Sequence, residues 1–124
     1  MNSSDLRSAT VQQLVDFFCD IALAQFETRF EDEGVPEYNR LYKELLAIEA
    51  ELKSRPGDQR HALVPLHKHE NSEVKLKAAI ATYAVDPGGS WAVFEWLDKW
   101  DVPPPAALAR GMMRAIREGT YKPT

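Results

Sequence analysis

The chain is short of most features that announce chemistry. One cysteine in 124 residues excludes an internal disulfide framework and fits a reducing compartment. Cys19 sits between Phe18 and Asp20 without the basic neighbour a reactive thiolate needs, so it is expected to behave as a small core residue. No uninterrupted stretch approaches the roughly 20 apolar residues that span a bilayer; the run from Val15 to Ala24 is broken by Asp16 and Asp20. Asp5 and Arg7 fall within the first residues, a poor fit to a secretory signal, so a cytoplasmic protein with no membrane partner is expected. There is no excess of positive charge: the net charge is −4, which argues against nucleic acid as a partner. A Gly-rich phosphate loop, a nucleophile elbow, a Rossmann fingerprint and the zinc spacings H-E-x-x-H and C-x-x-C are all absent. The expectation is a protein that is not an enzyme, with no cofactor and no metal.

What remains is ordinary for a globular chain, 44% hydrophobic and 27% charged, and the apolar residues recur at helical spacing. After a polar lead-in over residues 1–9, Thr10 and Gln13 fit a capping box, and Val11, Leu14, Val15, Phe18, Ile21, Ala22 and Phe26 make the stripe of a first helix over 10–30. Glu31-Asp32-Glu33-Gly34 closes it, with Gly34 expected in the left-handed cap conformation. Pro36 opens a second helix, striped by Tyr38, Leu41, Tyr42, Leu45, Ile48 and Leu52 and stopped at Arg55-Pro56-Gly57. Asp58 caps a third helix bent by Pro65. Asn71 caps a fourth, carrying Val74, Ala78, Ala79 and Ala81. Ser90 is expected to cap a helix from Trp91 to Trp100, and a proline connector leads to a last helix over about 105–117 with Leu108, Met112, Met113 and Ile116 inward. Alternating strand patterns are absent, so the fold class is all-α: one domain, 1–124, of five to six helices.

The segment from Gln59 to Pro87 reads as a helical hairpin. Leu63-Val64-Pro65-Leu66, then Asn71, Glu73-Val74-Lys75 and Ala78-Ala79, is similar to the HEAT repeat, whose second helix is capped by Asn or Asp and packed closely through paired small residues. The resemblance implies a compact HEAT-like bundle, an armadillo-type superhelix, over 36–119. A more specific likeness is carried by Leu41-Tyr42, the run Lys53-Ser54-Arg55-Pro56-Gly57-Asp58-Gln59-Arg60, Gly111-Met112 and the ending Tyr121-Lys122-Pro123. With these, residues 38–124 resemble a bacterial family known as DUF2019, a domain of unknown function, with the first helix outside the recognisable part. The family implies no established chemistry. Related small helical-repeat proteins have been proposed as immunity proteins that neutralise toxins, which extends to this chain as an analogy of fold.

Four groups of residues compete for a functional role. On the helix from Trp91 to Trp100, a turn of about 100° per residue puts Val93, Trp96, Leu97 and Trp100 on one face and Trp91 and Phe94 nearly opposite. Taking the first face as core leaves Trp91 and Phe94 to be covered by the N-terminal helix, by a second copy or by a protein partner, the last two because tryptophan anchors interfaces. The acids Glu31, Asp32 and Glu33 read as a solvated turn or as a contact for a basic partner. Arg60, Lys68, Lys75 and Lys77 form a basic strip interrupted by Glu70 and Glu73, the alternative being a nucleic-acid binder. His61, His67 and His69 with Glu70 are the one acid–base set available to an unrecognised enzyme. The leading expectation is a non-enzymatic protein-binding module, immunity-type in its most specific form, using Trp91, Phe94, Glu31, Asp32 and Glu33.

Overall fold

The structure, a computed structural model, describes residues 3–124 and is helical throughout, with no strand among the described residues. Six α-helices and one 3₁₀ helix occur in the order α1 (Ser3–Ser8), α2 (Val11–Thr28), α3 (Val35–Ser54), the 3₁₀ helix (Gln59–Lys68), α4 (Ser72–Thr82), α5 (Pro87–Trp100) and α6 (Pro105–Glu118). That is seven among the described residues where five to six were expected. The addition is α1, inside the stretch read as a polar lead-in. Leu6 is buried, and the Arg55 guanidinium donates to the carbonyls of Leu6 at 3.0 Å and Ala9 at 2.7 Å, so one apolar side chain and one cation hold an otherwise polar segment. The chain forms two compact units, Met1–Ala62 and Leu63–Thr124.

In the first unit α2 packs on α3. The Thr10 hydroxyl accepts from the Gln13 N–H and the Gln13 amide oxygen accepts from the Thr10 N–H, which completes the capping box. Leu14, Val15, Phe18, Ile21 and Ala22 bury from α2, and Leu41, Leu45, Ile48 and Leu52 from α3. Both sets recur at three and four, as a single buried stripe requires. The turn between them differs from expectation. Glu33, with φ 61°, takes the left-handed conformation, and Gly34 does not. Gly34 is needed for a different reason: a Cβ there would lie 2.1 Å from the Thr28 carbonyl oxygen. The backbone crosses too closely for any side chain.

The third predicted helix, most of which falls in the second unit, is a 3₁₀ helix rather than a kinked α-helix. Pro65 within it lacks the N–H an α-helix would use. α4 follows its Asn71 cap, whose side-chain oxygen accepts from the N–H of Glu73 and Val74. Eight of its eleven residues are buried, including Glu73 and Lys77, which face each other at 3.6 Å. A helix covered on most sides has little amphipathic contrast, and its many alanines let neighbours approach. α5 starts at Pro87, four residues before the predicted start, because the Asp86 carboxylate accepts from the Gly89 N–H and Pro87 supplies a first-turn φ. Ser90 therefore lies inside the helix. Leu76 and Ala79 of α4 meet Val93, Phe94 and Leu97 of α5 and Ala109 and Met113 of α6 in one core, and Tyr83 stacks on Phe94 with centroids 6.5 Å apart. On α6 the buried stripe is Pro105, Ala106, Ala109 and Met113. Met112 and Ile116 pack at its margin, while Leu108, expected inward, is exposed. Gly119 ends α6 with φ 74°, the left-handed cap that favours glycine.

A buried polar chain links these elements. The His67 Nε2 lies 2.8 Å from the Thr82 hydroxyl, which is 3.0 Å from the Ser90 hydroxyl and donates to the Ala78 carbonyl at 2.7 Å. Because the Thr82 proton goes to Ala78, its oxygen accepts from His67, which assigns the Nε2–H tautomer to a neutral ring. Burial pushes the His67 pKa below that of a free histidine, against an opposing pull from Asp86.

Two outcomes are expected. Phe94→Ala removes a fully buried ring from the core and should lower unfolding stability by about 3–5 kcal/mol in denaturant titration, with less than about 1 kcal/mol contradicting this packing. For His67, an unfolded chain binds its proton at a higher pH than the folded one does. The His67 contribution should thus be full above the ordinary histidine pKa of about 6.5 and be lost as pH falls from there through the depressed folded value. The difference in stability between wild type and His67→Gln, followed by denaturation at stepped pH, should shrink on acidification; a difference that grows would reverse the assignment.

Candidate binding face on helix α5

The register of α5 decides which aromatic side chains meet solvent. The buried positions Ser90, Val93, Phe94 and Leu97 follow the i, i+3, i+4, i+7 spacing of one stripe. Relative to the predicted core face, the helix is turned by roughly 60°. Phe94, expected at the surface, is fully buried and offers nothing to a partner. Trp96 and Trp100, expected in the core, are 46% and 66% exposed. Trp91 lies between, half-buried, with one part against the core cluster. The missed signal was Asp86-Pro87 as a helix start: counted from there, Ser90 joins the inward stripe and displaces Trp96 and Trp100 from it.

Each tryptophan carries a cation. The Lys75 Nζ lies 4.6 Å from the Trp96 ring centroid, the Lys99 Nζ 4.9 Å from Trp100, and the Arg117 guanidinium carbon 5.1 Å from Trp91. These distances fall within the range of a favourable cation–π contact, worth about 0.5–1 kcal/mol at exposed sites. Lys75 is held a second time, donating to the His67 carbonyl at 3.1 Å. Two shallow depressions border this face. One of about 380 Å³ is lined by Gly88, Trp91, Ala92, Glu95, Trp96, Lys99 and Trp100. The other, of about 530 Å³, lies between α5 and α6, with Glu95, Asp98, Lys99, Arg110, Met113 and Arg117 around it. Arg110 donates to the Asp98 carboxylate across them at 2.8 Å.

The remaining candidates are spent on structure or stand apart. Glu31, Asp32 and Glu33 are exposed in the α2–α3 turn of the first unit, next to the exposed apolar residues Phe30 and Val35. They belong to a different unit from Trp91 and Phe94. The basic strip does not persist as a row of free cations. Arg60 is buried and pairs with Asp58 at 2.6 Å, Lys77 is buried with Glu73, Lys75 is engaged at Trp96 and His67, and Lys68 is exposed. The histidines do not converge either. The His61 Nδ1 lies against the Asp58 carbonyl, His67 is in the buried chain with Thr82, and the His69 Nδ1 accepts from the Asn71 N–H. Among the described residues no three His, Cys, Asp or Glu side chains form a group that could hold a metal ion. Burial, then the charges of Asp20 and Asp16, raises the Cys19 thiol pKa, the opposite of what an activated nucleophile needs. No helix is long and apolar enough to cross a membrane among the described residues.

Comparison with known proteins bears on this geometry. No curated protein matches the chain. A crystal structure of the protein RPA1889 from Rhodopseudomonas palustris CGA009 is similar, with a TM-score of 0.91 and 33% sequence identity, covering 96% of this chain and 98% of that one. The family described as a domain of unknown function, DUF2019, matches residues 12–117. That span takes in nearly all of α2, so the first long helix is part of the family rather than outside it, as the sequence reading had it, while the Tyr121-Lys122-Pro123 ending lies beyond the match. With the match covering most of its length, the chain belongs to the DUF2019 family.

Proposed function

We propose that this protein is a non-enzymatic, HEAT-like binding module of the cytoplasm whose contact surface is the outward face of α5. The carrying observation is the exposure of Trp96 and Trp100, one turn apart on the same helix, with Trp91 at the opposite border of the same depression. Large aromatic side chains gain most by leaving water, and clustered tryptophans on an open surface are more typical of interface centres than of solvated faces. The HEAT-like part of the reading is supported by the Leu63–Leu66 segment, the Asn71 cap and the buried alanines of α4. Glu31, Asp32 and Glu33 remain a second contact area in this reading, suited to a basic patch. The immunity-type form, in which the partner is a toxin, rests on analogy of fold.

The test replaces the rings that the structure exposes. Trp96→Ala and Trp100→Ala should each change stability by about 1 kcal/mol or less, since neither ring is in the core. A partner captured from host lysate by the intact protein, then purified and remixed, should bind the double variant at least about thirtyfold more weakly, as expected for loss of about 2 kcal/mol at an anchor. Equal retention by the folded double variant would remove α5 as the contact. Suppression of the captured partner's toxicity in cells would select the immunity-type form, and a harmless partner would exclude it.

A further inference from the structure

We propose that the outward face of α5 takes an acidic polypeptide segment, extended and carrying carboxylates at alternate residues. This rests on the binding-face reading above and names the occupant. The argument starts from charge. Residues 1–62 hold seven Lys and Arg against twelve Asp and Glu, a net −5, whereas residues 63–124 hold eight against seven, a net +1. At the α5 face the imbalance is sharper. Lys75, Lys99, Arg110 and Arg117 stand there against Glu95 and Asp98, and Asp98 is already paired with Arg110. An ammonium resting on an indole face keeps N–H donors for a carboxylate, so an incoming acid can complete a carboxylate–cation–ring stack without displacing anything.

Spacing narrows the partner further. Trp96 and Trp100 are four residues apart, about 6 Å along the helix axis. Lys75, reaching over from α4, rests on the first ring, and Lys99 of α5 rests on the second. An extended chain places same-side residues about 6.6 Å apart, close to that rise, so carboxylates at positions i and i+2 can meet both. The intervening apolar side chain has Ala92 and the ring edges to pack against. Size argues against nucleic acid here. A surplus of two cations is small beside the six to ten phosphate contacts of a typical DNA binder, while it matches a short acidic segment.

The probe is a short synthetic peptide alternating Glu and Leu, compared with its Gln-for-Glu counterpart and with oligothymidylate, by calorimetry and by quenching of tryptophan fluorescence. The Glu peptide should bind, and the Gln version should bind about tenfold or more weakly, as should the Glu peptide to folded Lys99→Glu, the loss of one charge-assisted contact. Added salt should weaken binding further. Equal binding of the Gln peptide would overturn the acidic occupant while leaving α5 as a binding face, which the Trp96→Ala/Trp100→Ala capture experiment judges separately. Binding of oligothymidylate in place of the peptide, or of no probe, would overturn it too. So would self-association in sedimentation that disappears when Glu31, Asp32 and Glu33 are changed to Lys, because the occupant would then be a second copy.

Discussion

The second unit depends on how α5 is rotated against α4, and one hydroxyl pair fixes that rotation. Thr82 sits fully buried on α4 with its oxygen shared among His67, Ser90 and the Ala78 carbonyl. Ser90 is fully buried as well, and a buried hydroxyl left without a partner costs about 1–3 kcal/mol, so when it faces inward it must meet Thr82. Once it does, the stripe through Val93, Phe94 and Leu97 follows from helical periodicity, and the tryptophans at 96 and 100 are carried outward. The surface chemistry of α5 is therefore a by-product of polar satisfaction inside the unit. Hydrophobicity alone would have chosen otherwise, since Trp96 and Trp100 present more apolar area than Ser90.

Much of the architecture was legible from the sequence. The Thr10 capping box, the Asn71 cap, the stop at Arg55-Pro56-Gly57 and the stripe of α3 rest on local rules that tertiary context did not override. The failures have a common form. Leu6 looks too isolated to hold a helix until Arg55, distant in sequence, supplies hydrogen bonds to the C-terminal end of α1. Gly34 suggests a left-handed cap, yet Glu33 adopts that geometry and the glycine answers a close approach to Thr28. Leu108 suggests core by its type, while smaller Ala106 and Ala109 are what α6 inserts between its neighbours. In each case the deciding partner lies elsewhere in the chain.

The candidate site was half legible. The Trp91–Trp100 segment was legible as the aromatic one, but which of its rings were free depended on a helix start moved by four residues. Phe94 and Trp96 exchanged roles as a result. The basic strip dissolved for a related reason: a count of Lys and Arg along a sequence cannot distinguish a solvated cation from one such as Lys77, buried beside a carboxylate on its own helix. Charge patterns therefore located the second unit as the less acidic half of the chain without locating the cations within it.

All three tryptophans lie on one helix of one unit, whereas the first unit contributes only tyrosines, Tyr38 and Tyr42, to near-ultraviolet emission. Indole emission excited at the red edge is consequently a reporter of residues 63–124 and is silent on the other half of the molecule. A single sigmoidal fluorescence transition would describe the melting of α4, α5 and α6, not of the chain. Coincidence of that transition with far-ultraviolet dichroism, which weighs every helix, becomes a direct measure of whether the two halves unfold as one cooperative body.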